Sequence, residues 1–258
     1  MTSLNFFLSG CCGRMGRTIR DVIAERGDDQ IVAGFDAKDD PTCPFPIYQD
    51  PLLCKESFDV LIDFSSPDAL EPLGRLIEQR GCPAVICTTG LNEKQKDKLM
   101  ALSQIAPIFI SANMSLGINL LIDLAKRAAA LLYPGFDIEI IEAHHNQKID
   151  APSGTALMIA DRINDVLGGQ LKPITDRSQV RQKRGQDELG IHAIRGGTLV
   201  GEHTVLFAGP DEVIQIHHSA RSRTIFANGA IAAAHFIHGK PAGLYDMDDL
   251  LSERISDL

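Results

Sequence analysis

The sequence predicts an α/β protein of two domains: a parallel sheet flanked by helices, then a second, α+β domain with a mixed or antiparallel sheet. Three observations predict it. Over residues 1–115, short apolar runs of strand length alternate with segments of helical period. A glycine-rich loop, Gly10-Cys11-Cys12-Gly13-Arg14-Met15-Gly16, stands between the first strand and the first helix. Beyond residue 116 the alternation stops, and strand-like runs follow one another with turn residues between them.

The elements follow in order. Leu4 to Leu8 is a short apolar strand, and the helix after it carries Met15, Ile19, Val22 and Ile23 on one face. Ile31 to Phe35 is the next strand. Phe58 to Phe64 (FDVLIDF) is another, closed by Ser65-Ser66-Pro67. Leu70, Leu73, Leu76 and Ile77 mark a helix behind Pro67, and Pro72 is expected to kink or delay it. Ala84 to Cys87 is a strand, Glu93 to Leu102 a helix, and Ile108 to Ile110 a strand. In the second half, Leu116 to Leu132 is a long apolar helix and Phe136 to Ile141 a strand. A helix from Ala156 to Leu167 repeats its apolar face at Ala156, Ile159, Ala160, Ile163 and Val166. Ile191 to Arg195, Leu199 to Phe207 and Val213 to His217 read as strands, the last two joined by the hairpin residues Gly209-Pro210-Asp211. A final helix, Ile225 to Ile237, stops at Gly239 with Pro241 beyond. The expected division is a dinucleotide-binding domain over 1–115 and a substrate-binding and oligomerisation domain over 116–224.

Composition excludes several classes. A chain of 258 residues buries roughly three-quarters of its unfolded surface, so it needs no disulfide or metal to fold. Apolar residues at 44% and charged residues at 23% fit an ordinary globular protein. No uncharged apolar stretch reaches the length of about 18 residues expected of a membrane helix, and the first residues lack the charged start of a signal peptide. A net charge of -9 and a pI near 5.3 argue against nucleic acid as a partner, as does the absence of Trp. The one basic stretch, Arg181, Lys183 and Arg184, reads as a solvated loop. The six cysteines form no CxxC pair, which points to reduced thiols in the cytoplasm.

The glycine loop carries the first functional signal. Its glycines allow a tight turn and close approach of backbone to a pyrophosphate, and the helix behind it offers unpaired N–H groups and a partial positive charge. Asp36, 20 residues beyond Gly16 at the end of the second strand, stands where a carboxylate accepts the ribose hydroxyls. The first domain is therefore read as Rossmann-like. The expected coenzyme contacts are Gly10, Cys11, Cys12, Gly13, Arg14, Met15 and Asp36, joined by Cys87, Thr88 and Thr89 and by Ser111, Ala112, Asn113 and Met114 at later strand ends. Cys11 and Cys12 read as small apolar fillers, although a nearby helix N-terminus is expected to lower a thiol pKa.

The second signal is the run from Glu142 to Ala156, EAHHNQKIDAPSGTA. Two histidines and a lysine follow a strand end, and a Pro-Ser-Gly-Thr turn opens a helix. Histidine suits proton transfer near neutral pH. Gly154 and Thr155, with Ser153 in the same turn, place N–H groups and hydroxyls at a helix N-terminus, a socket for a substrate carboxylate. Adjacent side chains in an extended segment point to opposite faces, so His144 and His145 do not share a metal ion, and none is expected.

That run, with GxxGRMG, IDFSSP at 62–67, TTG at 88–90, SANMSLGIN at 111–119, VGEH at 200–203 and SRTIFANGA at 222–230, resembles the signature of the dihydrodipicolinate (4-hydroxy-tetrahydrodipicolinate) reductase family over nearly the whole chain. The resemblance implies reduction of a cyclic imine dicarboxylate with NADH or NADPH and loss of water, in lysine synthesis through diaminopimelate. It implies His144 as proton donor and acceptor, Lys148 as a second proton donor, and His145, Gly154 and Thr155 as substrate contacts. It also implies a homotetramer built through the second domains' sheets, and a final segment, 225–258, that returns to complete the first domain. Two positions depart from the family pattern. Ala37 follows Asp36 where the family often has Arg, with Lys38 one step later, and Cys87 replaces the first glycine of GTTG. Two other readings compete: an amino-acid dehydrogenase acting on an imine, and a regulator that senses NAD(H) without turnover. The catalytic run argues against the first, and the acidic charge and lack of a helix-turn-helix against the second.

Overall fold

The computed structural model describes residues 2–256. The chain divides into two compact units, one formed by the residues up to Leu116 and from Arg223 onward, the other by Gly117–Ser222.

The first unit contains β1 (Asn5–Ser9), α1 (Arg14–Arg26), β2 (Gln30–Phe35), β3 (Ile47–Tyr48), β4 (Val60–Asp63), α2 (Leu70–Arg80), β5 (Ala84–Ile86), α3 (Glu93–Leu102) and β6 (Pro107–Ile110). With β12 (Gly243–Tyr245) from late in the chain, its strands form a seven-stranded sheet in the order β12-β6-β5-β4-β1-β2-β3, with every pairing parallel. The apolar runs of β1 and β4 have the composition of strands covered on both faces. Phe6 and Leu8 lie in a core with Ile19 and Val22 of α1, while Phe7, between them, lies in a second core with Leu73, Ile77 and Leu99 of α2 and α3. The alternation follows from the two-residue period of a strand. Pro72 is the third residue of α2, which runs unbroken from Leu70 behind a short 3₁₀ turn at Pro67–Ala69. The expected kink is therefore absent: a first-turn N–H has no helical carbonyl to lose.

The second unit contains α4 (Leu116–Leu132, starting at the boundary), β7 (Asp137–His144), α5 (Gly154–Val166), β8 (Lys172–Ile174), β9 (Glu188–Arg195), β10 (Gly201–Ala208) and β11 (Val213–Ala220). The sheet order is β11-β10-β7-β9-β8. It is mixed, because β7, β9 and β8 run parallel while β10 is antiparallel to both β7 and β11. Ile122 and Ala125 of α4 and Ile159 and Ile163 of α5 cover one face of this sheet, against Ile138, Ile140, Val205 and Phe207. Because side chains alternate, Glu142 and His144 continue the face of Ile138 and Ile140, and His203 that of Val205 and Phe207. Polar groups thus reach the end of an otherwise apolar face. The basic stretch is only partly a solvated loop. Arg184 is drawn in, pairing with Asp137 at 2.7 Å and Glu139 at 2.8 Å and donating to the carbonyls of Ile138 and Glu188.

The chain then returns to the first unit as α6 (Thr224–Ile237), β12 (Gly243–Tyr245) and α7 (Met247–Ser256). Ala227, Ala230, Ala233 and Ala234 of α6 are buried in the core that holds Phe6 and Leu8. Gly229 lets this helix meet the end of the β6 loop, since a Cβ there would lie 1.6 Å from the Met114 carbonyl oxygen.

Candidate active site

The first unit carries the nucleotide loop. Gly10 adopts φ 74°, and a Cβ on it would lie 2.4 Å from the Phe64 carbonyl oxygen. A Cβ on Gly16 would lie 2.2 Å from the Gly10 carbonyl oxygen, so the turn closes against α1 only with glycine at both places. Gly13 is the N-cap of α1 and supplies no side-chain acceptor to the first turn, which leaves that helix end for an anion. Asp36 accepts the Cys12 N–H at 2.9 Å and the Lys38 N–H at 3.0 Å. With Gly10, Gly13, Ala37, Ser65 and Ser66 it lines a cavity of about 510 Å³. An open turn, an uncapped helix end and a carboxylate on one cavity fit the phosphates and ribose of a dinucleotide.

The later loops are placed less simply. Thr88 and Thr89 share a cavity of about 650 Å³ with Ser111 and Ala112. The Thr88 hydroxyl, however, donates to the buried Asp63 at 2.6 Å, and so does Ser65. Burial raises the Asp63 carboxyl, against the pull of these hydrogen bonds. Thr88 therefore offers a ligand its backbone and not its hydroxyl. Cys87 and Met114 are core residues, and only their main chains face the loops. Ser111 accepts the Asn113 N–H at 3.2 Å and shapes that turn. Arg14 is exposed and Met15 half-buried. The expected lowering of the loop thiols is overturned. Burial, with Asp36 beside them, raises both Cys11 and Cys12. The Cys11, Cys12 and Asp36 ligand atoms lie within 4.8 Å of one another.

The second unit carries the acid–base cluster. β7 ends in Glu142-Ala143-His144, so Glu142 and His144 share a face. His144 Nδ1 lies 2.6 Å from Glu142 Oε2, within hydrogen-bond distance. Glu142 is fully buried, and Arg195 grips it through both terminal guanidinium nitrogens at 2.8 and 2.7 Å. The Ser153 N–H donates to Glu142 Oε1 at 2.9 Å. Burial would raise the Glu142 carboxyl, but the hydrogen bonds from Arg195 and His144 hold it below its ordinary value. His203 stands edge-on to His144, centroids 5.3 Å apart. Burial, and then His144 beside it, push the His203 pKa down to about 4, so it is neutral at neutral pH.

The loop after β7 places the rest. Lys148 Nζ lies 2.8 Å from Asp150, and this pairing lowers the Asp150 carboxyl. His145 is half-buried at the start of the loop, and its carbonyl accepts the Lys148 N–H at 3.1 Å. Ser153 caps α5 by accepting the Ala156 N–H at 3.2 Å, and its hydroxyl lies 3.2 Å from His203 Nε2. It is almost fully buried. The Ser153 side chain is thus engaged within this unit, with the Ala156 N–H and beside His203. Gly154 opens α5 with empty space beside it, and Thr155 is half-buried next to it. The structure brings His144, Lys148, Gly154 and Thr155 to one end of this unit. Glu142, Asp150, Arg195 and His203 went without assigned roles in the sequence reading. The two-residue spacing of Glu142 and His144 is a signal that could have found the first. Arg195 reaches Glu142 from 53 positions away, and nothing in its neighbourhood announces it.

Comparison with known proteins agrees with this geometry. The family models described as dihydrodipicolinate reductase, N-terminus, and dihydrodipicolinate reductase, C-terminus, match residues 4–114 and 117–251. A 4-hydroxy-tetrahydrodipicolinate reductase of Caldanaerobacter subterraneus subsp. tengcongensis is 49% identical, covering 97% of this chain and 99% of its own. One of Clostridium novyi is 46% identical, covering 96% and 98%. Among solved structures, a dipicolinate-bound dihydrodipicolinate reductase from Paenisporosarcina sp. TG-14 superposes with a TM-score of 0.80 at 24% identity, covering 95% and 97% of the two chains. A diaminopimelate dehydrogenase of C. glutamicum shares the fold more distantly, at a TM-score of 0.55 and 16% identity over 99% of each chain. With both halves of the family matched in order and relatives aligned over nearly their full length, this chain belongs to the dihydrodipicolinate reductase family.

Proposed function

We infer that the protein is an NAD(P)H-dependent oxidoreductase that reduces 4-hydroxy-tetrahydrodipicolinate to tetrahydrodipicolinate with loss of water, in lysine synthesis through diaminopimelate. The observation that carries the reading is the cluster at the end of β7. There a buried, oriented histidine stands in one unit with a lysine and a helix N-terminus.

The dinucleotide, when bound, supplies hydride. Gly10, Gly13 and the start of α1 would hold its phosphates and Asp36 its adenine ribose, with the backbone at Thr88, Thr89, Ser111 and Ala112 available for the remainder. The other steps belong to this chain's own side chains. The N–H groups at Gly154 and Thr155 bind a substrate carboxylate through the positive end of α5. His145 adds a polar contact at the loop start. Lys148 must leave Asp150 to meet the substrate, and Asp150 keeps its charge from straying in the meantime. His144 holds a proton for transfer at Nε2, since Nδ1 is committed to Glu142. Lys148 is the second proton source. Reduction takes up one hydride and one proton, while elimination of the 4-hydroxyl puts a proton on the departing oxygen and releases one from a neighbouring C–H, so a pair of groups that can both give and take a proton suits the chemistry.

We further infer a homotetramer in the cytoplasm. β11 is an edge strand with Val213 and Ile214 exposed, and an unpaired apolar edge favours sheet-to-sheet assembly. All six cysteines are free, as in a reducing compartment, and no helix among the described residues is long and apolar enough to cross a membrane. Oxidation of NADH or NADPH in the presence of 4-hydroxy-tetrahydrodipicolinate tests the activity. Turnover is expected with at least one coenzyme, and its absence with both overturns the reading.

A further inference from the structure

His144 has a support that the proposed reaction does not by itself require. Both oxygens of Glu142 are in use: Oε2 accepts from His144 Nδ1 and one Arg195 N–H, and Oε1 from the other Arg195 N–H and the Ser153 N–H. An ionised carboxylate only accepts hydrogen bonds. Neutral His144 therefore carries its hydrogen on Nδ1, and Nε2 is the nitrogen left to give or take a proton. The charges of Arg195 and Glu142 cancel, so the pair adds no net charge behind the ring. What it supplies is direction and tautomer. The same carboxylate ties three elements together, since His144 ends β7, Arg195 ends β9 and Ser153 caps α5. Arg195 also donates to the Asp150 carbonyl at 2.6 Å, which links the grip to the Lys148 loop. Beside Nε2 stands Gly201, where a Cβ would lie 3.0 Å from that nitrogen. A glycine there leaves the proton-transfer atom uncrowded.

We propose that Glu142, clamped by Arg195, is the positioning residue that locks His144 in the Nδ1–H tautomer and presents Nε2 to the substrate. The proposal rests on His144 being the proton-transfer residue. Neither Glu142 nor Arg195 touches substrate in this scheme, and both act through the imidazole.

The test combines a spectrum with a double-variant cycle. In histidine-labelled protein, ¹⁵N spectra should show neutral His144 protonated on Nδ1 and bare on Nε2, with the resonance identified by its loss in His144→Gln. In Glu142→Gln a single amide oxygen cannot serve both Arg195 and His144, and the tautomer should become mixed. kcat should fall about 10- to 100-fold, the scale on which an orienting partner of a functional histidine acts, with KM changed less than about threefold. In a His144→Gln background, Glu142→Gln should cost nothing further in kcat, because its route runs through the histidine. If Glu142→Gln does not fold, Glu142→Asp, which keeps the charge and shortens the reach, is read in the same cycle. An Nε2–H tautomer in the unaltered protein, or an equal fall in kcat in both backgrounds, overturns the positioning role. A His144→Gln variant with near-normal kcat overturns the preceding reading instead, and the spectrum then still reports whether Glu142 sets the tautomer.

Discussion

At the scale of single residues, the proposed reaction separates groups that would meet a ligand from groups that hold them, with His144 and Lys148 in the first class. His144→Ala and Lys148→Ala should each lower kcat by about 10²–10⁴-fold, the usual contribution of a positioned acid, while far-ultraviolet circular dichroism stays unchanged. Near-normal kcat in both would remove them from the chemistry. Asp36 bears on coenzyme choice. It is followed by Ala37, so a 2′-phosphate meets repulsion from the carboxylate and no arginine next in sequence, with the Lys38 ammonium as a single point charge one step on. NADH should serve at least as well as NADPH in kcat/KM, and Ala37→Arg should raise the NADPH value. A strong NADPH preference in the unaltered protein, persisting at about 0.15 M salt where the Debye length is about 8 Å, would mean that another residue binds the phosphate. The loop thiols belong to neither class. Since burial and Asp36 raise Cys11 and Cys12, alkylation of the folded protein at neutral pH should be far slower at both than at an unhindered thiol, as peptide mapping after brief exposure to iodoacetamide would show.

At the scale of elements, helix ends do much of the positioning. α1 begins behind a glycine that supplies no side-chain cap, and α5 behind a serine whose side chain caps its first turn. Thr155→Val keeps the shape of the α5 socket and removes a hydroxyl. A hydrogen bond to a charged group is worth about 1.5–3 kcal/mol, so substrate KM should rise about tenfold or more with coenzyme affinity unchanged. Weakened coenzyme binding would place the socket elsewhere. α6 packs by the absence of a side chain. Gly229→Ala would push a methyl into the Met114 carbonyl, and overpacking of this kind costs about 1–3 kcal/mol. Urea midpoints should fall accordingly, and an unchanged midpoint would show that the helix can move aside.

At the scale of the whole molecule, the buried histidine makes stability depend on pH. His203 titrates near 6.5 unfolded and near 4 folded. Its neutral form is the one the fold accepts, so no penalty exists above the unfolded value. As pH falls from about 6.5 to about 4, the unfolded state binds the proton first and stability is lost, by about 3 kcal/mol at the low end. His218, also lowered by burial, acts in the same direction. Urea unfolding of wild type and His203→Gln at pH 7 and pH 5 should show a smaller loss in the variant, and equal losses would acquit His203. The oligomer belongs to this scale too. Sedimentation equilibrium should report four copies, and a monomer at working concentration would overturn the assembly through β11.

The sequence by itself determined the order of the main elements up to α6, the parallel first sheet and the glycine loop, while the short strands β3, β8 and β12 and the helix α7 after α6 were not read from it. These are local facts: a period of two or of about 3.6, a glycine where the chain must turn, a cap before a helix. The weak elements escaped because their signals are short. β3 has two residues and β12 three, and a parallel neighbour rather than their own composition makes them strands. Pro72 looked like a fault and is not, because its place in the first turn is known only once the helix start is known. Side-chain partners are not legible from residue type. The Thr88 hydroxyl donates to Asp63, and Ser153 caps α5. A helix end near Cys11 and Cys12 suggested reactive thiols, and burial decided the opposite. Only the tertiary structure brought Arg195 from the end of β9 and His203 from β10 to the end of β7. Burial, dielectric environment and the partner of a side chain come from packing between segments distant in the chain, and no local pattern encodes which distant segment will arrive.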